Sequence, residues 1–192
     1  ANPIAYKSFK NVWIMPAPGD DGNAIGAVLA HHKKHIRWPG PYLGRNLGYN
    51  TKNEMIVEDL LRNKLCGIAR GRAEFGPRAL GNRSILADPR EGNMKDILNE
   101  KIKHRESFRP FAPSILEEYV SEYFEIDTNS PYMLLVAPVK EPKKIPAVTH
   151  VDGTGRLQTV SKKTNLLYYD LINEFYKITG VPVIINTSMN VM

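Results

Sequence analysis

The chain has 192 residues, 42% of them hydrophobic and 24% charged, with one cysteine and a formal charge of +6. That composition suits a globular domain with a small appendage, excludes a disulfide-stapled or low-complexity chain, and favours anionic partners. No apolar run approaches the ~20 residues needed to span a bilayer and no signal-peptide pattern opens the chain, so a reducing, cytoplasmic setting without a membrane is expected.

In chain order, Asn11-Val12-Trp13-Ile14-Met15-Pro16 reads as a short strand, followed by a turn at Ala17 to Asp20 and a helix over 21–30 packed through small residues. The stretch 37–50, rich in Gly, Pro, Tyr and Asn, has no apolar periodicity and reads as a linker or a draped connection. The expected units are therefore 1–36, 37–50 and 51–192. Thr51 and Glu54 have capping-box spacing ahead of a helix whose buried stripe is Ile56, Val57, Leu60 and Leu61. Leu65 to Ala69 reads as a strand that carries the single cysteine, Cys66, into the core.

Ile85 to Ala87 precedes Asp88-Pro89-Arg90-Glu91, which predicts a helix start with Asp88 as cap, and Met94, Ile97, Leu98 and Ile102 mark the face of that helix. Strands are expected over 111–116 and 132–139, and 148–151 and 157–160 flank Asp152-Gly153-Thr154-Gly155 like the arms of a hairpin. A last helix over 165–179 stops at Gly180, and the apolar strand from Pro182 to Ile185 runs into a polar turn from Asn186 to Asn190. Helices alternating with strands predict an α/β or α+β fold with a mixed sheet.

Positive charge gathers between Arg70 and Arg109. The loop from Gly71 to Ser84 combines glycines that admit an anion to the backbone, forked donors in Arg72, Arg78 and Arg83, and neutral donors in Asn82 and Ser84. The competing reading is a scaffold network in which Arg78 and Arg83 pair with Glu74 and Asp88. Lys103 and Arg105 would point the same way in extended chain, and Arg109 follows. A helix C-terminus collects basic residues for its dipole, which accounts for Lys101 and Lys103 better than for Arg105 and Arg109. Thr187, Ser188 and Asn190 bring hydroxyls and an amide to the carboxyl end of a central strand, where open α/β sheets bind ligands.

Together these segments resemble the C-terminal domain of the NodU/CmcH family of O-carbamoyltransferases. The likeness rests on Gly71 to Arg90, on Phe108-Arg109-Pro110-Phe111-Ala112-Pro113-Ser114, on Val148 to Thr154 and on Asn186-Thr187-Ser188, and it covers the chain from about residue 52. It implies a YrdC-like fold, a twisted mixed sheet flanked by helices, preceded over 1–36 by a strand-turn-helix remnant of an actin-like domain. Lys103-His104-Arg105 and Thr187-Ser188-Met189-Asn190 are similar to two YrdC signatures.

The resemblance also implies an activity: carbamoyl-adenylate is made from carbamoyl phosphate and ATP, with magnesium accompanying the ATP. This is the activating half of an enzyme acting on a hydroxyl of a small-molecule or sugar acceptor. On that basis Arg78, Lys103 and Arg109 clamp the phosphate of carbamoyl phosphate, Arg105, Ser188 and Asn190 orient the ATP phosphates, and Asn82, Arg83, Arg156 and Thr187 complete the binding set. Arg78, Lys103 and Arg105 form the implied catalytic group. No metal site is expected within the chain, since His31 and His35 read as an exposed helix face; the metal of the actin-like domain belongs to the full-length protein.

The family continues past Asn190, so the chain reads as truncated at its end, and Arg70 stands where the family commonly has glutamine. Two other readings remain open. One is an RNA-binding module, against which Phe75, Phe108 and Phe111 lack the spacing of a base-stacking platform. The other is a threonylcarbamoyl-adenylate synthase.

Overall fold

The computed structural model describes residues 8–9, 14–35, 37–48 and 51–190. Six strands form one mixed sheet: β1 (Leu65–Ala69), β2 (Arg83–Ala87), β3 (Ala112–Leu116), β4 (Leu135–Pro138), β5 (Thr154–Val160) and β6 (Val183–Ser188). Their order is β1-β2-β6-β3-β5-β4, with β3 and β5 parallel and every other neighbouring pair antiparallel. Strand β6 opens on Val183, Ile184 and Ile185, all fully buried, and sits inside the sheet between β2 and β3.

Among the described residues the α-helices that accompany the sheet are α1 (Asp20–His32), α2 (Asn53–Asn63), α3 (Met94–Ile97), α4 (Val120–Tyr123) and α5 (Lys162–Thr179). Helix α5 packs on the sheet and against α2, burying Tyr168, Leu171, Ile172 and Phe175 at the three- and four-residue spacing of one face. Each of these side chains contributes about 1.5–3 kcal/mol by leaving water. Ser161 and Thr164 cap α5 reciprocally and Gly180 ends it in the left-handed conformation. Its first turn lies ahead of the expected start because Ser161 caps four residues before a kink at Asn165, whose backbone leaves the helical pattern and whose side chain bonds Tyr42 and Asn82. Among the described residues no helix is long and apolar enough to cross a membrane.

Several sequence expectations are corrected. Half of the strand expected over 11–16 lies outside the described residues, and Ile14, Met15 and Pro16 carry no strand. The cap of α2 is Lys52 without a side-chain bond, which leaves Thr51 one residue too early for the box. Asp88 caps no helix; its buried carboxylate takes the amide and guanidinium of Arg90, and α3 starts at Met94 after Asn93. No hairpin forms around Asp152 to Gly155. Both edges of β5 are occupied by β3 and β4, so residues 146–148 instead make a 3-10 turn that buries Ala147 and Val148. Strand β6 continues through Ser188, so Asn186, Thr187 and Ser188 belong to the ladder and not to a turn after it.

The stretch 37–50 is tied to the body where it is described. Residues 41–48 lie along 71–75 through Gly44 N to Ala73 O, Ala73 N to Arg45 O and Leu47 N to Gly71 O, all at 3.0–3.2 Å.

Candidate functional site

The loop between β1 and β2 is organised by one carboxylate. Glu74 Oε1 accepts the backbone N–H groups of Leu80, Asn82 and Arg83 at 2.8, 2.7 and 3.2 Å. Gly81, between them, holds φ +104 against the ring of Tyr168. At the other end of the loop, Gly76 lies against Ala17, the turn residue of the N-terminal segment. Of the scaffold network considered from sequence, the pairings with Glu74 and Asp88 do not form, since Glu74 bonds backbone amides and Asp88 pairs with Arg90, but Arg83 does serve the scaffold, through backbone carbonyls.

A second part comes from the segment after α3. A π-helical turn, Leu98–Lys103, closes at His104, which is left-handed with φ 46. The chain here is not extended, so Lys103 and Arg105 diverge. Lys103, only 3% exposed, donates to Asn190 O at 2.9 Å and to the carbonyl of Ser188, with Ser188 Oγ at 3.4 Å. Arg105 donates Nε to Asn99 Oδ1 at 2.7 Å and stacks 4.8 Å above the ring of Phe111. Asn99 is fully buried and also donates to the carbonyls of Ser107 and Arg109, so a single amide sets both Arg105 and the following loop.

Arg78, Arg105 and Arg156 meet in a cavity of about 100 Å³, whose wall also includes Phe111, Met133, Asn186, Thr187 and Ser188 and contains no carboxylate. Arg156 is held down to about 10 by burial and by the charges of Arg78 and Arg105. Burial and Arg109 lower Arg105, and burial with the Arg105 charge brings Lys103 to about 8. Nε of Arg78 and Nε of Arg156 are buried without a partner. Cations crowded together, short of acceptors and away from water, carry an energetic cost that an anion would relieve.

The expected site residues thus separate. Arg78, Arg105, Arg156, Thr187 and Ser188 share the cavity, while Lys103 and Asn190 adjoin it through Ser188. Arg109 pairs with Glu106 at 2.8 Å beside it. Asn82 and Arg83 do not reach it. The amide of Asn82 joins Arg72 O and Asn165, and the guanidinium of Arg83 spans the carbonyls of Arg45, Arg70, Gly71 and Asn82. Two participants were not named as site residues from the sequence, Asn99 and Phe111 as the platform under Arg105, each in a run that reads as ordinary core. Asn186, read from the sequence only as part of the polar cluster after the apolar strand, stands in the cavity wall.

Residues 57–192 match the family described as Carbamoyltransferase C-terminus. The chain belongs to this family. Among its relatives, Nodulation protein NolO of Bradyrhizobium diazoefficiens is 43% identical over 95% of this chain and 39% of its own length. An uncharacterized protein of Synechocystis is 41% identical over 95% of this chain and 38% of its own length. Nodulation protein U of Rhizobium tropici is 41% identical over 95% of this chain and 34% of its own length. The chain thus spans less than two fifths of the length of these carbamoyltransferase-family relatives. Full-length HypF in the phosphate- and nucleotide-bound form shares the fold with a TM-score of 0.50 at 16% identity, over 74% of this chain and 21% of that one.

Proposed function

We propose that this carbamoyltransferase-family domain makes carbamoyl-adenylate from carbamoyl phosphate and MgATP, as the activating half of an O-carbamoyltransferase that modifies a hydroxyl of a small-molecule or sugar acceptor. One observation carries the reading: three arginines line one small pocket with no acid among its described lining residues. Both reactants are anions, and chemistry of this kind rests on positioning and charge stabilisation more than on a nucleophilic side chain. The family match and a structural relative solved with phosphate and nucleotide support it.

Water displaces phosphate from the carbamoyl carbon, leaving carbamate; a carbamate oxygen then bonds to the α-phosphorus of ATP while the bond to pyrophosphate breaks. Arg78 and Arg156 hold the phosphate of carbamoyl phosphate, and Arg105 faces the ATP phosphates. Lys103 fixes Ser188 and Asn190 at the rim. A space of about 100 Å³, the room of roughly three waters, takes carbamoyl phosphate but not a nucleoside. The adjoining hollow of about 360 Å³, lined by Phe108, Thr149 and His150 and sharing Pro110 with the cavity, suits the nucleoside. Magnesium belongs to this reading as the partner of the triphosphate. In this reading the protein acts in the cytoplasm, and the remainder of the full-length protein delivers the carbamoyl group.

The test is release of pyrophosphate from ATP on adding carbamoyl phosphate. Release that needs carbamoyl phosphate is expected; release with threonine and bicarbonate instead would favour a threonylcarbamoyl-adenylate synthase. RNA affinity that falls steeply with salt, with no pyrophosphate formed, would favour the RNA-binding reading.

Lys103 supplies a pH signature. Because its ammonium loses the proton near 8, affinity for sulfate, which does not titrate in this range, is expected to drop about tenfold as pH rises from 6.5 to 9.5. Calorimetric titrations give the profile, and a flat one removes Lys103 from the anion site.

A further inference from the structure

Asn186 is 1% exposed and forms part of the cavity wall beside the three arginines. Its Nδ2 donates to Ala79 O at 3.1 Å and to Gln158 Oε1 at 2.9 Å. Gln158 is itself fixed: Nε2 donates to Leu80 O at 3.2 Å, and Oε1 also accepts from Ser114 Oγ at 2.7 Å. Backbone carbonyls only accept, so Ala79 O and Leu80 O determine which end of each amide faces them. Reversing either amide would set oxygen against oxygen.

The consequence is that Asn186 Oδ1 remains a buried acceptor without a partner among the described residues. In the same cavity Arg78 Nε and Arg156 Nε are buried donors without acceptors. A fully ionised phosphoryl group or a carboxylate offers only acceptors, and so answers the arginines while leaving Oδ1 unsatisfied. A ligand that satisfies all three atoms carries anionic oxygens at one end and an N–H donor at the other. Carbamoyl phosphate does, through its amide nitrogen; an acyl phosphate with a methyl group in that place does not.

We propose that Asn186 determines substrate specificity by accepting a hydrogen bond from the carbamoyl nitrogen through Oδ1, with Gln158 and the Ala79 and Leu80 carbonyls holding its amide in the required orientation. This rests on the anion-binding reading of the cavity given above. It adds the means of telling a carbamoyl from an acyl phosphate. A site built to pair a polar group rejects the analogue that lacks it far more strongly than an apolar pocket rejects a missing methylene.

Two stable phosphonates differing only at the group in question make the test: phosphonoacetamide, which carries the amide NH2, and acetonylphosphonate, which carries a methyl there. Inorganic phosphate is the reference, and all three are titrated calorimetrically into the protein and into an Asn186→Leu variant. The wild-type protein is expected to bind the amide about 10- to 100-fold more tightly than the ketone. In Asn186→Leu the ratio should shrink to within about threefold, with phosphate affinity changed much less. If the variant does not fold, the wild-type ratio decides alone. Equal wild-type affinities for the two phosphonates, with phosphate still bound, overturn the specificity role and leave the anion cavity standing. Failure of all three ligands to bind overturns the proposed function itself.

Discussion

Alanine in place of Arg78 is expected to slow carbamoyl-phosphate-dependent pyrophosphate release by about 100- to 1000-fold, the cost of deleting one preorganised donor from a developing charge, while the thermal midpoint stays level or rises. The two halves of this expectation have the same cause. Arg78 Nε has no partner among the described residues, and the Arg78 charge is one of the influences that hold Arg156 down to about 10. Removing it therefore relieves repulsion in the protein and withdraws a counter-charge from the ligand. Arg83→Ala should behave in the opposite sense, because that guanidinium staples carbonyls of Arg45, Arg70, Gly71 and Asn82 without entering the cavity. Each lost charged bond there costs about 1.5–3 kcal/mol. Thermal melts and pyrophosphate assays on both variants separate the roles, and a large fall in melting temperature for Arg78→Ala would make it a scaffold residue.

Gly81→Ala is expected to destabilise the protein by about 3 kcal/mol or more, lowering the melting temperature by roughly 10 °C. A Cβ at this position would stand 2.2 Å from Cδ1 of Tyr168, and φ of +104 is strained for any residue with a side chain. The ring cannot give way, since Tyr168 is fully buried. Gly81 also sits between Leu80 and Asn82, whose amides converge on Glu74, so any shift displaces the loop that carries Arg78. Phosphate binding should be lost with the stability. Gly92→Ala, where nothing lies within 4 Å of the added carbon and φ is not positive, serves as the control and should change stability by less than about 0.5 kcal/mol.

The sheet and the basic cavity were legible in the sequence to different depths. Apolar runs located β1, β2, β3 and β6, and the clustering of Arg78, Arg105 and Ser188 in recognisable segments pointed to one site. Periodicity misjudged the chain wherever a residue answers to a distant partner. Asp88 has the form of a helix cap, yet Arg90 claims its carboxylate. Residues 148–151 have the form of a hairpin arm, yet β3 and β4 already fill both sides of β5. The divergence of Lys103 from Arg105 depends on a π-helical turn and a left-handed His104, neither of which leaves a residue signature. Asn99 was passed over, and Asn186 was read only as one member of a polar cluster, because their importance lies in the partners that surround them, and that is a property of assembled structure.

Laying residues 41–48 along 71–75 has a mechanical consequence. The rungs between these two stretches, with Arg83 crossing from Arg45 O to Gly71 O, make them move as one piece. Whatever pulls on the chain ahead of Pro41 is transmitted within a few residues to Glu74, and from there to the bend that aims Arg78.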